Sequence, residues 1–191
     1  MDFGRRVLMR MFGRPRGVLG RLGGVMMARI NRDAAAQVID MLKVRPGERV
    51  LEIGFGPGVG VELVTQRIES GAVAGVDPSA EMLKQAQARN ADGIKAGRVD
   101  LRIGSVERLP FPDAAFDKAF AINSMQVWPD AGAGLREIHR VLRQGGVVAL
   151  AFTINSGQQR SGVAETLSAA GFAAPRVRDG ERLFCVMASK P

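Results

Sequence analysis

Apolar positions along this chain follow two spacings. Five short continuous runs, Arg49 to Ile53, Ala72 to Val76, Val99 to Ile103, Phe116 to Ile122 and Val147 to Phe152, have strand length and are rich in β-branched residues. Runs of this kind mark strands buried on both faces. Between them apolar residues recur every third or fourth position: Val61, Val64 and Ile68 in Val59 to Ile68, Met82, Leu83 and Ala86 in Ala80 to Arg89, and Leu135, Ile138, Val141 and Leu142 in Leu135 to Arg143. That spacing predicts helices. An earlier helix, Ala34 to Leu42, shows the same face in Ala35, Val38, Ile39 and Leu42 and ends before Pro46-Gly47. Strands alternating with helices imply parallel pairing through crossovers. Val163 to Ala170 reads as a last helix closed by Gly171. Val177 and Leu183 to Ala188 then predict two closing strands joined as a hairpin around Asp179-Gly180. The expectation is a seven-stranded α/β sandwich whose sheet is mostly parallel, with one antiparallel strand from the hairpin.

Composition narrows this. With 191 residues, 46% of them apolar, the chain can bury one core and is too short for two ordinary domains. No run of about eighteen apolar residues is present, so no spanning helix is expected. Single Cys185 and single His139 allow no internal disulfide and no zinc site, which predicts a cytoplasmic, metal-free protein. The net charge of +8 is uneven: residues 1–32 hold eight Arg against Asp2, while the remainder holds nineteen basic and eighteen acidic residues. The reading is therefore a basic N-terminal arm over residues 1–32 and a single domain over 33–191. Arg or Gly interrupts the arm's apolar residues every two or three positions, unlike a secretory signal. Such an arm can contact anionic membrane, nucleic acid or an anionic substrate, or cover a site as a lid.

The candidate chemistry begins after the first strand, in Glu52-x-Gly54-x-Gly56-x-Gly58. Glycines there let backbone approach a ligand, and the following helix offers unpaired N–H groups. A dinucleotide fingerprint would need a third glycine where this chain has Val59 (counting from Gly54) or Val61 (counting from Gly56). Asp77 ends the second strand, 25 residues after Glu52, where a carboxylate can accept hydrogen bonds from ribose hydroxyls.

Four segments in register, VLEIGFGPG, GVDPSAEML, GSVERLPFPDAAFD and LREIHRVL followed by RQGG, resemble the successive motifs of class I S-adenosylmethionine (SAM) dependent methyltransferases. The likeness is strongest to the small-molecule branch of ubiquinone and menaquinone C-methyltransferases and covers about residues 47–153. It implies a Rossmann-like methyltransferase sandwich, SAM as cofactor and a small-molecule acceptor. Glu52 and the backbone of Gly54, Phe55, Gly56 and Gly58 would hold the methionine part, and Asp77 the ribose. Pro78 and Met82 would flank the adenine, with Ser105 and Val106 at its edge. Asn123 and Ser124 would lie beside the sulfonium. Many relatives carry Asp at the position of Ser105, so the backbone of Val106 is the expected contact there.

Trp128, in the loop after the fourth strand, and Asn31, in the arm, are the candidates for substrate or lid contact. The lid reading follows from Thr153 to Arg160 being too short for the substrate-covering insertion of many relatives. His139, between Ile138 and Val141 in mid-helix, reads as structural rather than as a base, and Cys185, inside an apolar strand, as a buried thiol. Met82 suits the core as well as adenine, and no catalytic base is assigned. Two rivals remain: a nucleic-acid methyltransferase, and a non-catalytic SAM-binding protein whose arm makes peripheral membrane contact. Against the first, the body is near neutral and Asn123-Ser-Met-Gln126 is not the Asn-Pro-Pro-aromatic signature of base-amine methylation.

Overall fold

The computed structural model describes residues 32–191; Asn31 and the rest of the arm up to it lie outside the described residues. The described chain runs α1 (32–42), β1 (Arg49–Ile53), α2 (Val59–Arg67), β2 (Ala72–Asp77), α3 (Ala80–Arg89), α4 (Ala91–Lys95), β3 (Val99–Ile103) and β4 (Phe116–Ile122). A 3₁₀ turn at Met125–Val127 follows, then α5 (Ala131–Val141), β5 (Leu142–Thr153), α6 (Val163–Ala169), β6 (Ala173–Gly180) and β7 (Leu183–Ser189). The strands form one seven-stranded sheet in the order β3-β2-β1-β4-β5-β7-β6. β1 to β5 pair in parallel, and β7 is antiparallel to both β5 and β6.

Period-two alternation sends successive strand residues to opposite faces. Leu51, Ala119, Ala121 and Leu150 pack with Leu135, Ile138 and Leu167 of α5 and α6. Val50, Phe120, Ile122 and Ala149 pack with Val38, Ile39, Val64 and Met82 of α1, α2 and α3. Burial on both faces is why β1, β4 and β5 read as continuous apolar runs, whereas β3, expected to be buried on both faces, is an edge strand that leaves Asp100, Arg102 and Ile103 exposed. Among the described residues no helix is long and apolar enough to cross a membrane.

Three elements differ from expectation. Helix α5 ends at Val141 and β5 starts at Leu142, because Leu142 is already extended (φ −73°, ψ 141°) and pairs with Phe116. Gly145 and Gly146 are held there by reciprocal backbone hydrogen bonds with Lys190. The hairpin turns at Glu181-Arg182, not Asp179-Gly180, since Gly180 still pairs with Leu183. Its glycine serves a close approach to α1: a Cβ there would lie 2.5 Å from Gln37 Oε1, which accepts the Glu181 N–H. Helix α4 was not expected; its five residues carry only Ile94 as a large apolar side chain.

Because β1 adjoins both β2 and β4, the crossovers depart from it in opposite directions. Open parallel sheets leave a crevice at the carboxyl ends of strands at such a point.

Candidate functional site

A cavity of about 740 Å³ opens at that crevice, walled by the segments following β1, β2, β3 and β4 and by Ala35 of α1. Gly54 (φ 74°) and Gly56 (φ 51°) take left-handed backbone conformations in the turn after β1. Gly54 also has no room for a side chain, since a Cβ would lie 2.3 Å from Ser124 Oγ in the β4 loop.

Alternation along β1 points Glu52 to the α1–α3 face, where α2 begins. The approach is so close that a Cβ on Gly60 would lie 2.4 Å from Glu52 Oε1. Glu52 is 4% exposed and Oε2 has no hydrogen-bond partner. Burial pushes its carboxyl well above the usual carboxylate range, the Val61 N–H it accepts opposes that, and neighbouring Asp77 adds to it. A buried carboxyl with a free oxygen in a cavity wall is matched to a cationic or hydrogen-donating ligand group.

Asp77, at 7% exposure, is bound on both oxygens: Oδ2 accepts the Gly56 N–H and Oδ1 the Ser79 N–H, each at 2.9 Å. It joins the turn after β1 to the turn after β2. Burial raises its carboxyl above the ordinary value, against the pull of those N–H groups. Ser79 caps α3 by accepting the Met82 N–H, placing Pro78 and the buried Met82 in the wall. Met82 thus belongs to both core and cavity.

Ser105 and Val106 line the side after β3, Ser105 bonded to the Glu107 N–H. After β4, Asn123 adopts φ 49°, and its Oδ1 accepts from both the backbone N–H and the hydroxyl of Thr153. Ser124 Oγ accepts the Trp128 indole N–H at 2.9 Å. The indole lies over Gly134 of α5, where a Cβ would be 3.0 Å from the ring.

The described sequence candidates therefore converge on one cavity, with two adjustments. Gly58 is not in its wall: a Cβ there would lie 2.7 Å from Ala86 Cβ, and its carbonyl accepts the Asn90 amide, so this glycine lets α2 pack on α3. Phe55 turns its ring into the core over Gly75, where a Cβ would be 2.6 Å from the ring. Gly75→Ala is expected to lower stability by about 1–2 kcal/mol through overpacking; an unchanged denaturation midpoint would refute the fit. Ala35, Gly60 and Thr153 were not anticipated, since their parts depend on neighbours distant in sequence. His139 lies away from the cavity against Phe172, its basicity lowered by burial and by Lys190. Cys185 is buried in β7, where burial pushes its thiol up to about 12.

A family model described as a methyltransferase domain matches residues 51–150. An uncharacterized methyltransferase of Bacillus subtilis, YdaC, is 33% identical over 129 residues, covering 68% of this chain and 69% of that protein. A ubiquinone/menaquinone biosynthesis C-methyltransferase, UbiE of Geotalea daltonii, is 32% identical over 137 residues, covering 69% of this chain but 57% of its own length. The crystal structure of a SAM dependent methyltransferase from Aquifex aeolicus superposes with a TM-score of 0.72 at 21% identity, covering 82% of this chain and 89% of that one.

Proposed function

The chain belongs to the class I SAM-dependent methyltransferases, and on that premise we propose that it methylates a small-molecule acceptor seated between the β4 loop and α1. One observation carries the reading. The unpartnered Glu52 oxygen, the glycine turn and Asp77 meet in one cavity, which Asn123, Ser124, Val127 and Trp128 of the β4 loop also line with uncharged side chains.

Glu52 and the backbone of Gly54 to Gly56 are assigned to the methionine end of the cofactor, and Asp77 to its ribose hydroxyls. Pro78, Met82, Ser105 and Val106 are assigned to the adenine. Bound there, SAM supplies a methyl group on a sulfonium that is already a good leaving group. The chain's work is alignment and exclusion of water, and orientation alone contributes about 7–11 kcal/mol to such reactions. Trp128, bonded to the Ser124 hydroxyl that abuts Gly54, forms one side of the acceptor space. A pocket of 300–1,000 Å³ is the usual size for small molecules, which supports a compact acceptor beside the cofactor.

Two measurements test the reading. Calorimetric titration should give one SAM site, with a change in fluorescence of Trp128, the chain's single tryptophan. Incubation with methyl-labelled SAM and cell extract should place the label in the ultrafiltrate. Label held with protein or nucleic acid would overturn the small-molecule acceptor, and absence of SAM binding the reading as a whole.

A further inference from the structure

The two sides of the cavity differ in chemistry. Three carboxyl groups, Glu52, Asp77 and Glu81, stand on the side assigned to the cofactor. Glu52 accepts the Val61 N–H, Asp77 is bonded on both oxygens, and Glu81 accepts the Gln85 amide. The other side consists of Ala35, Ile122, Asn123, Ser124, Val127 and Trp128, none of which titrates. Its two polar side chains are engaged, Asn123 with Thr153 and Ser124 with Trp128. Val127 and Ile154, at the carboxyl ends of β4 and β5, expose 52% and 64% of their surface and extend the apolar character outward.

Of the charged groups on adjoining elements, Arg32 and Arg160 are ion-paired, whereas Asp33 and Asp130 are exposed carboxylates without an ion pair among the described residues. Arg32 of α1 meets Glu62 of α2, Asp130 caps α5 by accepting the Ala133 N–H, and Arg160, beyond β5, meets Asp179. His139 and Cys185 lie elsewhere, and the chain contains no tyrosine. Residues 1–31 contain no His, Lys, Glu, Cys or Tyr, and their single acid is Asp2. Among the described residues, the acceptor wall therefore holds no side chain suited to removing a proton from a weakly acidic acceptor.

We infer that the acceptor is an apolar small molecule that brings its own nucleophile in the form of a thiol. The inference rests on the methyl-transfer reading above. Alcohols and carbon acids need a positioned base, whereas a thiol ionises far more readily than an alcohol and is strongly nucleophilic as the thiolate. An alkyl amine is almost wholly protonated at neutral pH, and its ammonium would have to shed water against the apolar side chains of Val127 and Trp128. The thiol proton passes to bulk water. The sulfur lone pair then forms the new carbon–sulfur bond as the methyl–sulfonium bond breaks, and the broken bond's electron pair stays on the cofactor sulfur. An anion and a cation become two neutral thioethers, a change that an apolar wall favours over water.

Phenylethanethiol, phenylethanol and phenylethylamine, matched in their apolar body, are the probes. With the full chain and SAM, the thiol should be methylated at least about 100-fold faster than the other two. Its rate should rise about tenfold per pH unit and level off at the thiol's own ionisation. With the more acidic thiophenol the break should move down by the difference between the two thiol pKa values. In the S-adenosylhomocysteine complex the thiol should alter Trp128 fluorescence. Comparable methylation of the alcohol or amine, a break that stays fixed when the thiol is changed, or a thiol left unmethylated while calorimetry shows SAM bound would each overturn the inference. Failure of SAM itself to bind would remove the methyl-transfer reading and this inference with it.

Discussion

Asp77→Ala is expected to weaken SAM binding by about 100-fold, equivalent to roughly 2.7 kcal/mol. The carboxylate has two structural duties before any ligand arrives. It holds the Gly56 and Ser79 N–H groups at 2.9 Å each and so fixes the turn after β1 against the turn after β2. Removing it leaves both donors without their partner, at about 1–3 kcal/mol for each that stays dry. It also removes the acceptor assigned to the ribose hydroxyls. Asp77→Asn separates these duties: it keeps one acceptor oxygen but turns an amide N–H₂ toward one of the two backbone donors. It should fall between wild type and alanine, at about a tenfold loss. Calorimetry measures the affinities, and a melting temperature for each cofactor-free variant shows how much of the loss comes from the turn. An alanine variant with wild-type affinity would overturn the placing of the cofactor across β1 and β2.

The architecture was legible because buried parallel strands and amphipathic helices differ in period. Arg49–Ile53, Val99–Ile103 and Phe116–Ile122 fall where the apolar runs place them. The elements that escaped lacked that periodic signal. Helix α4 has no apolar stripe, and β5 gains its first residues from pairing with Phe116 rather than from an apolar run. Asp179-Gly180 carries the composition of a turn, yet the glycine is used for contact with Gln37 of α1. At the site, Glu52 and Asp77 could be found because strand-end carboxyls are conspicuous. Gly60, Gly75 and Thr153 could not, because each acts through one tertiary contact: with Glu52, with Phe55 and with Asn123.

Glu52→Gln should move stability and ligand affinity in opposite directions. In the unfolded chain Glu52 ionises near pH 4.3, whereas in the fold burial raises its pKa well above that range. Below about pH 4.3 both states are protonated and the group's contribution to stability is complete. As pH rises through the window between the unfolded and the raised folded value, the unfolded state releases its proton first and that contribution is lost. Glutamine keeps the shape and the acceptor for the Val61 N–H but does not titrate. The cofactor-free variant should therefore melt above wild type at neutral pH, and the gap should close as the pH is lowered toward the ordinary carboxylate range. SAM affinity should fall by about 100-fold at neutral pH, because the unpartnered oxygen loses the charge that pairs with the cofactor's cationic end. Thermal melts across pH and calorimetry on the same preparations check both halves. A variant less stable than wild type at neutral pH would mean that the fold favours the charged carboxylate over the neutral one and would overturn the upward shift assigned to burial, and unchanged SAM affinity would remove Glu52 from the ligand's surroundings.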